Sequence, residues 1–148
     1  MGSVLNNQFL WVALLATSAA QLLKVILVLI TERRLAVDRL LETGGMPSSH
    51  SAAVTSLATS LGLTYGWDSP HFAISAVFGG IVMYDATGIR RAAGIQAELI
   101  NELVNELNHL FDEGFQPQVL KTLLGHTYPQ VLVGAILGIV LGIVFFIR

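Results

Sequence analysis

Long runs of apolar residues are the feature that most restricts what this chain can fold into. One covers residues 129–147 without a single charge, and another covers residues 9–30 with only Lys24 inside it. An α-helix needs about 20 mostly apolar residues to cross the hydrocarbon core of a bilayer. Charged residues make up 12% of the chain, against about 25% in a typical soluble domain. The sequence therefore predicts a multi-pass integral membrane protein.

Two shorter segments, residues 49–65 and 70–84, are richer in small residues and bring the expected number of spans to about four. Residues 97–111 form an amphipathic pattern, with leucines at helical spacing on one face and glutamates on another. We interpret this pattern as a helix that lies on the membrane or covers one end of the bundle. The expected fold is an all-α membrane bundle of about four spans plus this cytoplasmic or interfacial helix, in one domain over residues 1–148.

Basic residues are concentrated on one side of the expected topology. The first apolar run is too long for a cleaved signal peptide, so we expect it to be retained as a span. Four spans then place residues 31–48 and 85–128 on one side of the membrane, and by the positive-inside rule that side is cytoplasmic. Its basic residues are Arg33, Arg34, Arg39, Arg90, Arg91 and Lys121. Lys24 lies within the first span, where it either reaches toward the interface or serves a site.

Residues 44–51 are the segment most suggestive of chemistry. Two glycines allow a ligand close to the backbone, and Pro47 can begin a helix that Ser48 and Ser49 extend. The free N–H groups of such a helix start bind phosphate oxygens. An ordinary helix cap would explain Pro47 and one serine, but it would not explain His50 in the first turn of a span.

Two further polar segments lie on the same side. Asp85, Arg90 and Arg91 follow the third span, either as an ion pair or as part of a site, and His126 precedes the last span. Two histidines among cations suit phosphoryl transfer, with one imidazole as nucleophile and the other as proton donor. They could instead bind metal, but only Asp85 is an obvious companion ligand, the spacing is not of the zinc type, and the chain has no cysteine. His71 and His109 lie away from this cluster and are interpreted as structural.

These segments resemble a known superfamily. Pro47-Ser48-Ser49-His50 resembles the Pro-Ser-Gly-His signature of the type-2 phosphatidic acid phosphatases, a superfamily that includes vanadium haloperoxidases. The segment from His126 to Gly134 resembles its third motif, in which a nucleophilic histidine precedes the final span. Small size and the segment from Tyr84 to Gly94 are similar to the divergent, membrane-embedded branch. The resemblance covers nearly the whole chain.

Carried over by position, the resemblance implies that His126 is the nucleophile, that His50 is the general acid, and that no metal or other cofactor takes part. It also implies that Lys24, Ser48 and Ser49 bind phosphate. Three positions depart from the pattern, because Thr31 and Leu120 replace arginines and Gln130 replaces an orienting aspartate. As substitutes we considered Arg33, Arg34, Arg90 and Arg91 for the cations and Asp85 for the carboxylate.

The expected activity is that of a membrane lipid phosphatase with a phosphohistidine intermediate at the cytoplasmic face. Phosphatidylglycerophosphate or phosphatidic acid is the expected substrate, and no nucleic-acid partner is expected. The alternative is a non-catalytic protein that retains the phosphatase fold and binds anionic lipids or serves a structural role. A small-residue stripe in the last span indicates close helix packing, either within the chain or in a homo-oligomer. Its members are Gly134, Gly138 and Gly142.

Overall fold

The computed structural model describes residues 4–33, 44–107, 119–122 and 124–147. Within these ranges the chain is helical and contains no β-strand, so the predicted all-α class is confirmed. In the described part of the chain, a 3-10 turn at Val4–Asn6 precedes five α-helices. These are α1 (Gln8–Glu32), α2 (Ser49–Tyr65), α3 (Pro70–Thr87), α4 (Ile89–Glu106) and α5 (Tyr128–Phe146).

Polar side chains fix the first turns of α1 and α3. The Asn7 side-chain oxygen accepts hydrogen bonds from the N–H groups of Phe9 and Leu10, at 3.1 and 3.2 Å. Ser69 accepts one from the Phe72 N–H at 3.2 Å, and Pro70 fills the first helical position, where no N–H is needed. The spans therefore begin where local sequence satisfies the free amides of the helix.

Among the described residues, three helical stretches are long and apolar enough to cross a membrane. They are Gln8–Thr31, Tyr128–Phe146, and Pro70–Glu106, which contains α3 and α4 in succession. The remaining helix, α2, has 17 residues, and at 1.5 Å per residue it is about 26 Å long. It packs against α1, α3 and α5 and lies inside the bundle. The predicted membrane helical bundle is confirmed, with α2 as its shortest and innermost member.

The interior of the bundle is built from small and hydroxyl-bearing residues. Ala16, Ala20 and Ala52 form the apolar core, and Ser56 and Ser60 are fully buried beside it. Both serine hydroxyls donate to carbonyl oxygens one turn earlier in α2, which satisfies them without water. Large apolar side chains cover the outside instead, as expected for a surface that faces lipid.

Aromatic side chains gather at the end of the bundle that carries both termini. Phe9 stacks on Phe146 with ring centroids 5.1 Å apart, and Tyr65 stacks on His71 at 4.6 Å. The start of α1, the end of α5 and the turn between α2 and α3 thus share one end. This matches the expected topology and leaves the segments with His50 and His126 at the other end.

The amphipathic helix was predicted over residues 97–111, and this start is wrong. The helix α4 begins at Ile89, directly after Gly88 ends α3, and residues 89–96 are helical without a break in the structure. It ends at Glu106, and residues 108–118, including His109 and Phe111, lie outside the described part of the chain. The amphipathic character is present, since Leu99 and Leu103 are exposed whereas Gly94 and Ala97 are buried.

The glycine stripe of α5 packs inside the chain. Gly134 lies against the backbone of Ser48, Gly138 lies against Ala52 and Thr55, and Gly142 lies against Ser56 and Thr59. The Thr55 hydroxyl donates to the Ala135 carbonyl oxygen at 3.0 Å across the same interface. The stripe is therefore buried between α2 and α5, which favours the within-chain interpretation over a homo-oligomer contact through these glycines.

Replacing Gly138 with alanine should destabilise the fold, because the added Cβ would overlap the backbone of Ala52. We expect a loss of about 1–3 kcal/mol and a melting temperature in detergent, measured by circular dichroism, that is lower by about 4 °C or more. Gly80→Ala is the matched control, because a Cβ at Gly80 meets no atom within 4 Å. Equal melting temperatures for the two variants would contradict the close approach of α5 to α2.

Candidate functional site at the basic end of the bundle

The segment before α5 is held against α3 and α4 by its backbone. The His126 N–H donates to the Ala86 carbonyl oxygen at 2.8 Å. Gly125 adopts a φ of +79°, and a Cβ there would lie 2.8 Å from the Arg91 Cα atom. Only glycine fits this close, left-handed position without strain. His126 is therefore delivered to a fixed place beside the end of α3.

Residues 119–122 are fixed along α4 by one side chain. The Asn101 amide donates to the Leu120 carbonyl oxygen and accepts from the Leu120 N–H, both at 2.9 Å. Further along, a Cβ at Gly94 would lie 2.6 Å from the Thr122 carbonyl oxygen, so the segment runs directly over α4 there. The helix α4 thus serves as a support for the approach to His126.

Gln130 determines which nitrogen of His126 carries the proton. Its side-chain oxygen accepts the Thr127 N–H at 3.0 Å as part of a capping box at the start of α5. The same oxygen lies 3.3 Å from His126 Nδ1. Since that oxygen is an acceptor, Nδ1 must be the protonated nitrogen of the neutral ring. This leaves a lone pair on Nε2, which is buried and has no hydrogen-bond partner among the described residues.

The serine motif meets the same part of α5. The Ser48 N–H donates to the Gln130 carbonyl oxygen at 3.1 Å. The Ser48 hydroxyl is buried at the start of α2 and accepts hydrogen bonds from the Ser51 N–H and hydroxyl, at 3.3 and 3.0 Å. Ser49 is buried in the first turn. Two motifs about 80 residues apart in sequence therefore share one backbone contact.

The two histidines of the predicted site lie next to each other. The ring centroids of His50 and His126 are 6.3 Å apart, with an angle of 64° between the ring planes. Both line one cavity of about 260 Å³, together with Asp85 and Arg90. A cavity of this size between the rings and a cation suits a phosphate group.

Lys24 lies against this site. Its side chain is 2% exposed and passes the loop before α2, within 3.2 Å of where a Gly45 Cβ would be. Its charge acts on both His50 and His126. A lysine that snorkels exposes its ammonium group at the membrane interface, so this degree of burial argues against the snorkelling interpretation.

Asp85 and Arg90 pair with each other at the mouth of the cavity. Arg90 Nε donates to Asp85 Oδ2 at 2.7 Å, and the two side chains are 53% and 35% exposed. The role of acceptor for His126, which we considered for Asp85, belongs in the structure to Gln130. Arg90 lines the cavity, and it is a candidate for the arginine that the resemblance implies at the position of Leu120.

In the described part of the chain, neither Arg33 nor Arg91 lines this cavity. Arg91 is exposed, and its backbone lies against Gly125. Arg33 is exposed at the end of α1 with a φ of +52°. Arg34 lies outside the described residues. Sequence reasoning did not single out Ser51, Gly125 or Asn101. A glycine directly before His126 was nevertheless a usable signal for the close backbone approach at Gly125.

The environment of His126 keeps its ring neutral. Burial is the largest influence and lowers the pKa below the ordinary value of 6.5, and the charges of Lys24 and His50 act in the same direction. The hydrogen bond with Gln130 and the nearby Gly45 carbonyl group act in the opposite direction. A neutral imidazole is the form that can attack phosphorus. Within the described residues, no three histidine, aspartate or glutamate side chains form a metal-binding group.

Comparison with known proteins identifies the family of the chain. Residues 5–141 match the model of a family described as the divergent PAP2 family. The chain belongs to the divergent PAP2 family. It is also 44% identical to the uncharacterized membrane protein YuiD of Bacillus subtilis (strain 168) over 150 residues, which cover 95% of each chain. No solved structure matches the chain. In this divergent PAP2 protein, Gln130 stands at the position where the resemblance to the type-2 phosphatidic acid phosphatases implies an aspartate.

Changing Gln130 should move the pKa of His126 in opposite directions for two variants. In Gln130→Ala the pKa falls further, because a hydrogen bond that raises it is lost. In Gln130→Glu it rises above that of the unchanged protein, because a carboxylate beside Nδ1 stabilises the imidazolium form. Histidine NMR titration in detergent measures both. Identical His126 titration curves in the three proteins would contradict the assigned contact, and His71, at the far end of the bundle, is the internal reference.

Proposed function

We propose that this membrane protein is a lipid phosphatase that hydrolyses a phosphomonoester headgroup through a phosphohistidine. The observation that carries the proposal is the state of His126. Its Nδ1 proton is held by Gln130, its Nε2 lone pair is unused among the described residues, and it shares a cavity with His50. Cations beside that cavity are suited to the oxygens of a phosphate group.

In the first step, His126 Nε2 attacks phosphorus and a P–N bond forms as the bond to the leaving oxygen breaks. His50, protonated, gives its proton to that oxygen, so a lipid alcohol departs. Lys24 and Arg90 stabilise the negative charge on the other phosphate oxygens. In the second step, neutral His50 takes a proton from water as the water oxygen attacks phosphorus. The P–N bond breaks, inorganic phosphate leaves and both histidines return to their starting forms.

Gln130 gives this chemistry a particular electrostatic character. Positive charge builds on the His126 ring during attack, and an aspartate partner would stabilise that charge. A glutamine amide oxygen orients the ring but offers only a dipole. The neighbouring cations also disfavour a charged ring. We propose that a dianionic phosphate in the cavity supplies the missing negative charge, so the ring becomes nucleophilic in the presence of its substrate.

The basic residues around the site indicate from which face of the membrane the substrate would bind. Arg90, Arg91 and Lys121 lie at the same end of the bundle as the site, and we propose by the positive-inside rule that this end is cytoplasmic. A lipid phosphate made on the inner leaflet would reach it directly. Phosphatidylglycerophosphate and phosphatidic acid are the proposed substrates.

One observation favours the alternative of a non-catalytic protein that binds anionic lipids. His126 has no carboxylate contact among the described residues, since Gln130 is neutral and Asp85 pairs with Arg90. Such a protein would bind the same headgroups without turnover.

The histidine variants separate the two functions. We expect purified protein to release phosphate from phosphatidic acid or phosphatidylglycerophosphate. Loss of the nucleophile in His126→Ala should lower the rate by at least about a thousandfold, and His50→Asn should lower it by about a hundredfold or more. His71→Ala is the matched control, because His71 lies at the opposite end of the bundle. A wild-type protein that binds these lipids but neither hydrolyses them nor forms an acid-labile phosphoenzyme would establish the alternative.

A further inference from the structure

Beside the cavity at the two histidines, a shallow and widely open apolar groove runs along the outside of α3. It is lined by Ala73, Ile74, Val77, Phe78 and Ile81. Ile81 also lines the histidine cavity, where Val82 and Ala86 add further apolar surface. The phosphate-binding end and the groove are therefore joined along one helix.

The groove follows a single line of the helix. Ile74, Phe78, Ile81 and Asp85 are spaced by four, three and four residues, so their side chains lie on one face of α3. The three apolar members and Val77 are 60–71% exposed. No described helix covers this face, although α2 and α4 both pack on other parts of α3.

The length of the groove matches one leaflet of a bilayer. Eleven residues separate Ile74 from Asp85, and at 1.5 Å per residue the line is about 16 Å long. The hydrocarbon core of a bilayer is about 30 Å thick, so one leaflet contributes about 15 Å. A lipid whose phosphate lies beside Asp85 and Arg90 would extend its chain about as far as Ile74.

We infer that this groove holds one hydrocarbon chain of the phosphorylated lipid whose headgroup occupies the histidine site. The inference rests on the proposed phosphatase function and adds that chain contacts on α3 select a substrate from the leaflet that borders the site. Because the residues that line the groove are all apolar, it recognises length and shape rather than a polar headgroup. In the neighbouring histidine cavity Arg90 pairs with Asp85, so the carboxylate does not repel the phosphate.

A bulky side chain in the groove distinguishes a specific chain-binding groove from a surface that only contacts bulk lipid. Val77→Trp places an indole in the groove but outside the histidine cavity. The matched control is Val140→Trp, at an exposed position of α5 that also faces lipid. We expect Val77→Trp to raise KM for dipalmitoyl phosphatidic acid by about tenfold, the effect of losing several apolar contacts. The value of kcat/KM for glycerol phosphate, which has no chain, should stay within about twofold of wild type, since the histidine cavity is unchanged.

The control separates failure of this inference from failure of the proposed function. If Val77→Trp and Val140→Trp have the same KM for the long-chain lipid, the groove is ordinary lipid-facing surface and the inference is overturned. If wild-type protein hydrolyses neither substrate, the phosphatase function fails instead.

A binding measurement tests whether the groove holds the lipid chain, and it does not require hydrolysis. In the His126→Ala protein, phosphatidic acid with a photoreactive group in mid-chain should label residues 73–81 more strongly than phosphatidylcholine with the same group at equal mole fraction. Labelling is read by mass spectrometry of the α3 peptides. Equal labelling by the two lipids would overturn the inference.

Discussion

The close approach of α2 to α5 is the contact on which the rest of this structure depends. Three glycines of α5 remove the side chains that would otherwise separate the two helices, and serines and threonines of α2 fill the space. At the end of this interface near His126, the Ser48 N–H donates a hydrogen bond to the Gln130 carbonyl oxygen. In a bilayer, where apolar residues gain nothing by leaving lipid for protein, this type of close packing is a main source of helix association.

The same contact organises the candidate site. Gln130 lies in the first turn of α5, where its side-chain oxygen accepts the Thr127 N–H and orients the His126 ring, and its backbone carbonyl accepts the Ser48 N–H. One residue thus links helix initiation, helix packing and the orientation of the His126 ring. A shift of α5 along α2 would move His126 relative to His50, so site geometry and bundle stability are coupled through this residue.

A neutral glutamine, rather than a carboxylate, lies beside Nδ1 of His126. Among the described residues Asp85 lines the same cavity, where it pairs with Arg90. Burial and the charges of Lys24 and His50 lower the pKa of His126. Under the proposed function, a phosphate dianion in the cavity would bring negative charge to this ring.

The sequence by itself determined the membrane class and the helices, and it predicted which two histidines form the candidate site. It determined the helices because span length and helix caps depend on local residues and their interaction with lipid or neighbouring amides. It predicted the bounds of α2 correctly but began α4 eight residues late. The reason is that residues 89–96, between Gly88 and the amphipathic pattern, have no periodic signal of their own. Only the tertiary structure decided that the glycine stripe packs within the chain, that Gln130 orients His126, and that Asp85 binds Arg90. Those outcomes depend on which helix faces meet, and local sequence does not encode the distance between residues that are far apart in the chain.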